Sequence, residues 1–177
     1  MRSDWLPRGE VAHVLAALTP PNRLACEVSM ATGLRISDVL NMRSARLAQR
    51  MTIRELKTGK TRRVTLPIEL YERCLSQRGK IYVFEGRTDY RKPRTRAAVY
   101  KDLKRAARAF RLPQKLQLSP HSLRKVWSVE QLKRAGGDIG KVRQLLGHSN
   151  EAVTLIYCMA DELTARKMGV KHDNRRC

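Results

Sequence analysis

Acidic residues are scarce in this chain: 16 Asp and Glu stand against 37 Lys and Arg, a formal net charge of +21 at pH 7 over 177 residues. Aromatics make up only 5%, too few for the base-stacking platform of a single-strand binder. No uninterrupted apolar run approaches membrane-spanning length, and Met1 to Pro7 holds no apolar signal core. These absences exclude a spanning helix and a secretory leader and point to the cytoplasm. Cys26, Cys74, Cys158 and Cys177 form no CxxC pair and no Cys/His ladder with zinc spacing. They read as free thiols, mostly core filler, and no metal or cofactor is expected.

What is present is enough for one compact unit. A length close to the usual domain size with 42% hydrophobic residues supplies one core but not two. So much uncompensated positive charge repels itself, and a polyanion would neutralise it in use. Nucleic acid is the leading partner, and no membrane association is expected.

The hydrophobic pattern is mainly helical, with one extended interruption. Val11, Val14, Leu15 and Leu18 mark a first helix, which Pro20 and Pro21 close; a second runs from about Asn22 to Thr32, stopped by Gly33 as a left-handed terminator. A short helix follows from Ser37 to Met42, which places Arg35 at a helix junction. Met51 to Leu56 and Arg62 to Leu66 read as two strands around a Lys57-Thr58-Gly59-Lys60 turn. Next come a helix from Ile68 to Gln77, a short apolar run at Ile81 to Phe84, and a helix from Thr95 to Phe110. Arg87 to Arg111 holds ten Lys and Arg against Asp89 and Asp102, so the face opposite the packing residues is a basic stripe. Ser119-Pro120 opens a helix that ends near Arg134 before Gly136-Gly137. Asp138 to Leu146 forms another, and Ser149 or Asn150 can cap one carrying Val153, Ile156 and Tyr157.

His121 and Arg124, three apart in the first turn of the Ser119-capped helix, share one face beside the unpaired N–H groups of the helix start. A phosphate there would meet a helix dipole, a guanidinium and an imidazole that titrates near neutrality. Each candidate also has a plain alternative. His121 and Arg124 could lie idle on a basic surface, Arg35 could be one solvated arginine among many, and Lys57 and Lys60 could belong to a solvated loop. His148 could simply end a helix at its negative pole. Tyr157, among Leu155, Ile156 and Met159, could be a core aromatic.

Taken in order, Gly33-Leu34-Arg35-Ile36-Ser37-Asp38, Lys57-Thr58-Gly59-Lys60, His121-Ser122-Leu123-Arg124, Leu146-Gly147-His148-Ser149 and then Tyr157 resemble the tyrosine recombinase (phage integrase) family over nearly the whole chain, from about Leu6 to Asp161. The resemblance implies a mainly α catalytic domain with a small antiparallel sheet, the DNA breaking-rejoining fold. It implies a bacterial or phage-encoded site-specific recombinase that cuts and rejoins double-stranded DNA through a 3′-phosphotyrosine, integrating or excising a mobile element. Arg35 and Arg124 would grip the scissile phosphodiester, with His121 and His148 completing the pocket. Lys57 would protonate the leaving 5′ oxygen, with Lys60 as the other candidate. Tyr157 would be the nucleophile, and Asp38 would brace the pocket.

The chemistry is consistent with such roles. Attack on a phosphodiester concentrates charge on nonbridging oxygens, which fixed guanidiniums stabilise most in the transition state. A tyrosine needs a base and an alkoxide needs an acid, and His121 and Lys57 can supply these. Lys60 and Arg62 of the hairpin, with Arg96, Lys101, Lys104, Arg105 and Arg108 of the basic helix, are the candidate phosphate contacts, which position a duplex without reading its sequence.

The chain departs from the family where Lys125 follows Arg124, a place where a second histidine is common, and where Val126-Trp127-Ser128 replaces a small polar stretch. Only about thirty residues precede Arg35, where relatives carry a helical core-binding domain. The expectation is therefore a single catalytic domain over 1–177 with no core-binding domain, either a catalytic piece or a minimal recombinase, with its core at 1–162. Residues 163–177 are either exchanged between subunits of a DNA-bound homo-tetramer or a frayed basic tail. DNA-bending accessory proteins are conceivable partners. Two other readings stand beside it: type IB topoisomerase-like nicking and rejoining, which uses the same chemistry on one strand without partner exchange, and non-catalytic binding of nucleic acid by a basic protein.

Overall fold

The computed structural model describes residues 3–113, 116–146 and 151–168. In chain order these form α1 (Arg8–Ala16), α2 (Pro20–Thr32), α3 (Ile36–Leu40), a 3₁₀ turn at Ser44–Arg46, β1 (Arg50–Arg54), β2 (Thr61–Thr65), α4 (Ile68–Gln77), α5 (Arg96–Ala109), α6 (Pro120–Arg134), α7 (Ile139–Leu146), α8 (Glu151–Cys158) and α9 (Ala160–Met168).

Several elements begin or end for reasons that lie outside their own residues. α2 starts two residues earlier than Asn22, because Pro20 and Pro21 occupy its first turn, where no N–H is needed. The donors at that end are met from elsewhere. Asp102 Oδ2, from α5, accepts from Thr19 N and Oγ1 (both 2.9 Å) and from Asn22 Nδ2 (2.8 Å). The antiparallel hairpin pairs Arg50 with Thr65 through Arg54 with Thr61, so β1 ends two residues before the expected Leu56 while β2 begins one residue before the expected Arg62. Glu55 falls in the connection, which closes through Glu55 N to Lys60 O (2.9 Å) and Gly59 N to Glu55 O (2.8 Å). The apolar run at Ile81 to Phe84 is no strand of a sheet. It forms a single bridge, Arg43 to Tyr82, and buries Val83 and Phe84 in the core.

The main core is built from α1, α2, α3, α5 and the start of α6, centred on Leu15, Val28, Leu34, Leu40, Phe84, Leu103 and Leu123. A smaller cluster of Trp127, Val142, Leu146 and Cys158 carries α7 and α8 on the side of α6. Cys26, Cys74 and Cys158 are buried free thiols. No helix among the described residues is long and apolar enough to cross a membrane.

Gly33 ends α2 in the left-handed region, at φ 67°, with its N–H bonded to Ser29 O at 2.9 Å. Trp127 of α6 presses against it so closely that an added Cβ would meet the indole Cδ2 at 2.5 Å. The unusual tryptophan is therefore the surface on which the Arg35 junction rests. Gly33→Ala should lower stability by about 3 kcal/mol, the sum of a left-handed alanine and an overpacked contact. Chemical denaturation would measure it.

α9 takes in residues 163–168 and lies against the amino-terminal segment. Thr164 Oγ1 accepts from Trp5 N (2.9 Å), and Lys167 Nζ pairs with Asp4 Oδ2 (2.5 Å). Residues 169–177, the rest of the expected tail, lie outside the described residues.

Candidate active site

A pocket of about 320 Å³ is lined by Arg35, Ile36 and Ser37 from the junction before α3, Lys57 from the hairpin connection, Arg96 at the start of α5, and Pro120, His121 and Arg124 from α6. Four of the six residues expected to carry chemistry thus meet around one cavity. Lys60 is not among its lining residues, although it is only three positions from Lys57. Tyr157 does not line the cavity either but joins it through His121, whose Nδ1 is 3.1 Å from the phenol oxygen. His148 lies outside the described residues.

Arg124 is the most enclosed member, with its side chain 2% exposed. Its guanidinium donates to Gly33 O (2.7 Å) and to Leu146 O (2.8 Å), which ties the α2 terminus and the end of α7 to the pocket wall. Burial, with Arg35 and Arg62 nearby, brings its pKa down to about 10, still fully charged at neutral pH. Arg35 is more open, at 15% exposed, and donates to Glu55 Oε2 at 2.7 Å.

The start of α6 differs from the sequence expectation in one respect. Ser119 and Ser122 form a reciprocal cap: His121 N donates to Ser119 Oγ (3.2 Å), Ser122 N to Ser119 O (2.8 Å) and Ser119 N to Ser122 Oγ (3.2 Å). The N–H groups expected to face an anion are used by this cap. An anion here would be held by the cationic side chains and the positive helix pole.

Burial lowers the pKa of His121, and Arg96, Arg124, Arg35 and Lys57 lower it further. The imidazole is therefore neutral at physiological pH and able to accept a proton. Burial raises the pKa of Tyr157, against the opposing pull of Arg124 and Arg35, so its hydroxyl is protonated until a base takes the proton. The Lys125 ammonium lies 5.8 Å from the Tyr157 ring centroid, and its Nζ also donates to Ser3 O.

The structure adds a residue that the sequence reading passed over. Glu55 is 2% exposed; its Oε2 accepts from Arg35 and, at 2.8 Å, from Thr58 Oγ1, while its Oε1 lies 4.0 Å from Arg124 Nη1. Burial alone would raise its pKa, but the Thr58 and Arg35 hydrogen bonds and the charges of Arg35 and Arg124 outweigh it and hold it below the ordinary value. A signal was available: Glu55 is the only acid between Arg50 and Arg63, among six basic residues. Asp38, the expected brace, accepts from Leu56 N (2.9 Å), and burial raises its carboxyl pKa.

The candidate DNA contacts separate into two groups. Arg62 turns inward, with its guanidinium donating to Thr32 O (2.5 Å) and Gly33 O (3.4 Å) and lying 5.2 Å from the Trp127 ring. Arg105 pairs with Asp102 (2.6 Å) and donates to Ala17 O (2.7 Å), and Lys104 reaches Gln117 Oε1 at 3.5 Å. Arg96 faces the pocket, Lys101 lines a groove beside Arg87 and Arg94, and Arg108 lies with Lys104 on another side of α5.

Residues 4–163 match the family described as the phage integrase family. The chain is 30% identical over 165 residues to a tyrosine recombinase of Thermosipho africanus, a match that covers 87% of this chain and 56% of that one. It is 34% identical over 152 residues to the tyrosine recombinase XerC of Mesorhizobium japonicum, covering 78% and 46%. The chain thus spans about half the length of these curated relatives. Among solved structures, a lambda integrase dimer bound to a COC′ core site superposes with a TM-score of 0.74 at 20% identity, over 89% of this chain and 48% of that one.

Proposed function

From the premise that this chain belongs to the phage integrase family and has the fold of tyrosine recombinase catalytic domains, we propose that it is the catalytic domain of a site-specific DNA recombinase, with Tyr157 as nucleophile. The observation that carries this reading is the contact between the Tyr157 phenol and a neutral His121 at the edge of a pocket that also holds Arg35, Arg124 and Lys57.

In the proposed reaction His121 Nδ1 takes the phenol proton as Tyr157 Oη attacks phosphorus. The bond to the 5′ oxygen breaks, and that oxygen takes a proton from Lys57. The product is a 3′-phosphotyrosine, which stores the linkage, so the reverse sequence rejoins DNA without a nucleotide cofactor. Arg35 and Arg124 stabilise the charge that develops on the nonbridging oxygens. The placement of Lys57, and not Lys60, on the pocket wall supports Lys57 as the acid. Arg96, Lys101 and Arg108 are proposed to contact duplex phosphates, and His148 to complete the pocket. A homo-tetramer on DNA is the assembly proposed for strand exchange.

The test is capture on a nicked duplex carrying candidate sites, followed by mapping of the DNA-linked peptide. A covalent complex at Tyr157 supports the reading, and its absence at every site defeats it. Relaxation of supercoiled plasmid without any exchange between paired sites would move the assignment to topoisomerase-like nicking.

The base role also predicts a pH profile. The rate requires neutral His121, whose pKa is held below 6.5, so single-turnover cleavage should stay level from neutrality down to that value and fall only below it. His121→Gln should slow cleavage by about 10²- to 10⁴-fold, the usual range for a positioned base, and should remove the acid limb.

A further inference from the structure

Lys57 extends from an exposed connection, yet an acid must be held close to one leaving oxygen. The residues on either side of it solve this problem. Leu56, before it, is fixed through its N–H to the Asp38 carboxylate on α3 (2.9 Å). Thr58, after it, is fixed through its hydroxyl to Glu55 Oε2 (2.8 Å), and the same oxygen accepts from Arg35 (2.7 Å). Two carboxylates thus cross between the stretch 35–38 and the stretch 55–58 in opposite directions, and Lys57 is the residue enclosed between the two anchors.

Building on the recombinase reading, we propose that Glu55 is a positioning residue that couples the general acid to the arginine pair: through Thr58 and Arg35 it holds the Lys57 connection in register with the phosphate grip. A carboxylate suits the place for electrostatic reasons. Arg35, Arg62 and Arg124 surround it closely enough to influence its charge or one another's. An apolar replacement would leave those cations repelling, whereas one buried anion holds them, and the oxygen that accepts from Arg35 also accepts from the threonine. A merely structural ion pair would not need Thr58, whose side chain lies in the exposed connection and packs no core.

The experiment compares single-turnover cleavage of two nicked duplexes, one ordinary and one with sulfur bridging phosphorus and the 5′ carbon. A thiolate leaves without a proton, so the sulfur substrate does not need the acid. The readout is the ratio of the sulfur rate to the oxygen rate for wild type, Lys57→Ala, Glu55→Ala, Glu55→Gln and Thr58→Val. Thr58→Val should lose about tenfold on oxygen, the effect of one hydrogen bond to a charged group, and recover on sulfur. Glu55→Ala should raise the ratio by at least that factor, and Glu55→Gln, which keeps an acceptor, should return it toward wild type. If Lys57→Ala is rescued by sulfur while Thr58→Val and Glu55→Ala are slowed equally on both substrates, the inference is overturned and the acid assignment stands. If Lys57→Ala stays slow on sulfur, the acid assignment itself falls and the inference with it. Should Glu55→Ala not fold, the ratio measured for Thr58→Val decides.

Discussion

Tyr157→Phe is expected to abolish the covalent protein–DNA complex on denaturing gels while leaving salt-sensitive DNA binding within about twofold of wild type. The substitution removes one oxygen. Among the described contacts, what it gives up is the hydroxyl bond to His121, while the ring keeps its place near Lys125. Loss of one hydrogen bond in a half-buried position costs about 1 kcal/mol, too little to unfold a domain. The chemical effect is of another order: with no nucleophile the two-step route is closed, and deletion of such groups typically lowers rates by about 10⁶-fold. On the proposed function, binding to the duplex draws on the net charge of +21, which the substitution does not touch. A residual adduct at an appreciable fraction of the wild-type level would place the nucleophile elsewhere. Unchanged activity would favour a non-catalytic binding protein.

The second large effect is expected at Arg124→Lys, a change that keeps the charge. The guanidinium spans two carbonyls on different elements, Gly33 O and Leu146 O, while it faces the pocket. A single ammonium has no planar fork with which to hold both and present a further donor to a phosphate. Cleavage should fall by about 10³-fold, the lower end of what an arginine contributes to phosphoryl transfer. One buried carbonyl left without its donor adds a stability loss of about 2 kcal/mol. For a chain of this size that is a melting temperature lower by about 4–8 °C. Circular dichroism would follow the second effect and single-turnover cleavage the first. A variant that melts earlier but cleaves at the wild-type rate would leave Arg124 a purely structural group.

Much of the local organisation is readable along the chain because its signals are local. Ser119-Pro120 and Gly33 do what their backbone preferences require at helix ends, and α4 follows its apolar spacing from Ile68 to Gln77. The residues that mislead are those whose partners are distant in sequence. Arg62 reads as an exposed phosphate contact, but the α2 carbonyls, some thirty positions earlier, draw it inward. Asp102 reads as a minor acid on a basic helix, but it caps a helix start eighty positions earlier. Glu55, near the end of a predicted strand, stands out in the sequence only as a lone acid among basic residues, and its burial is decided when α3 is set beside the hairpin.

By itself, the order of residues determined that the protein is a basic, mainly helical domain with one hairpin, and which family's motifs it carries, because composition, periodicity and motif order are properties of the chain. Only the tertiary structure decided which of two neighbouring lysines faces the pocket, and that the anion-facing N–H groups of α6 are used by their own cap. It also showed that a buried carboxylate lies between the arginines. Those outcomes depend on which groups come within hydrogen-bonding distance and lose their water together, and that is settled only when elements far apart in sequence pack against one another.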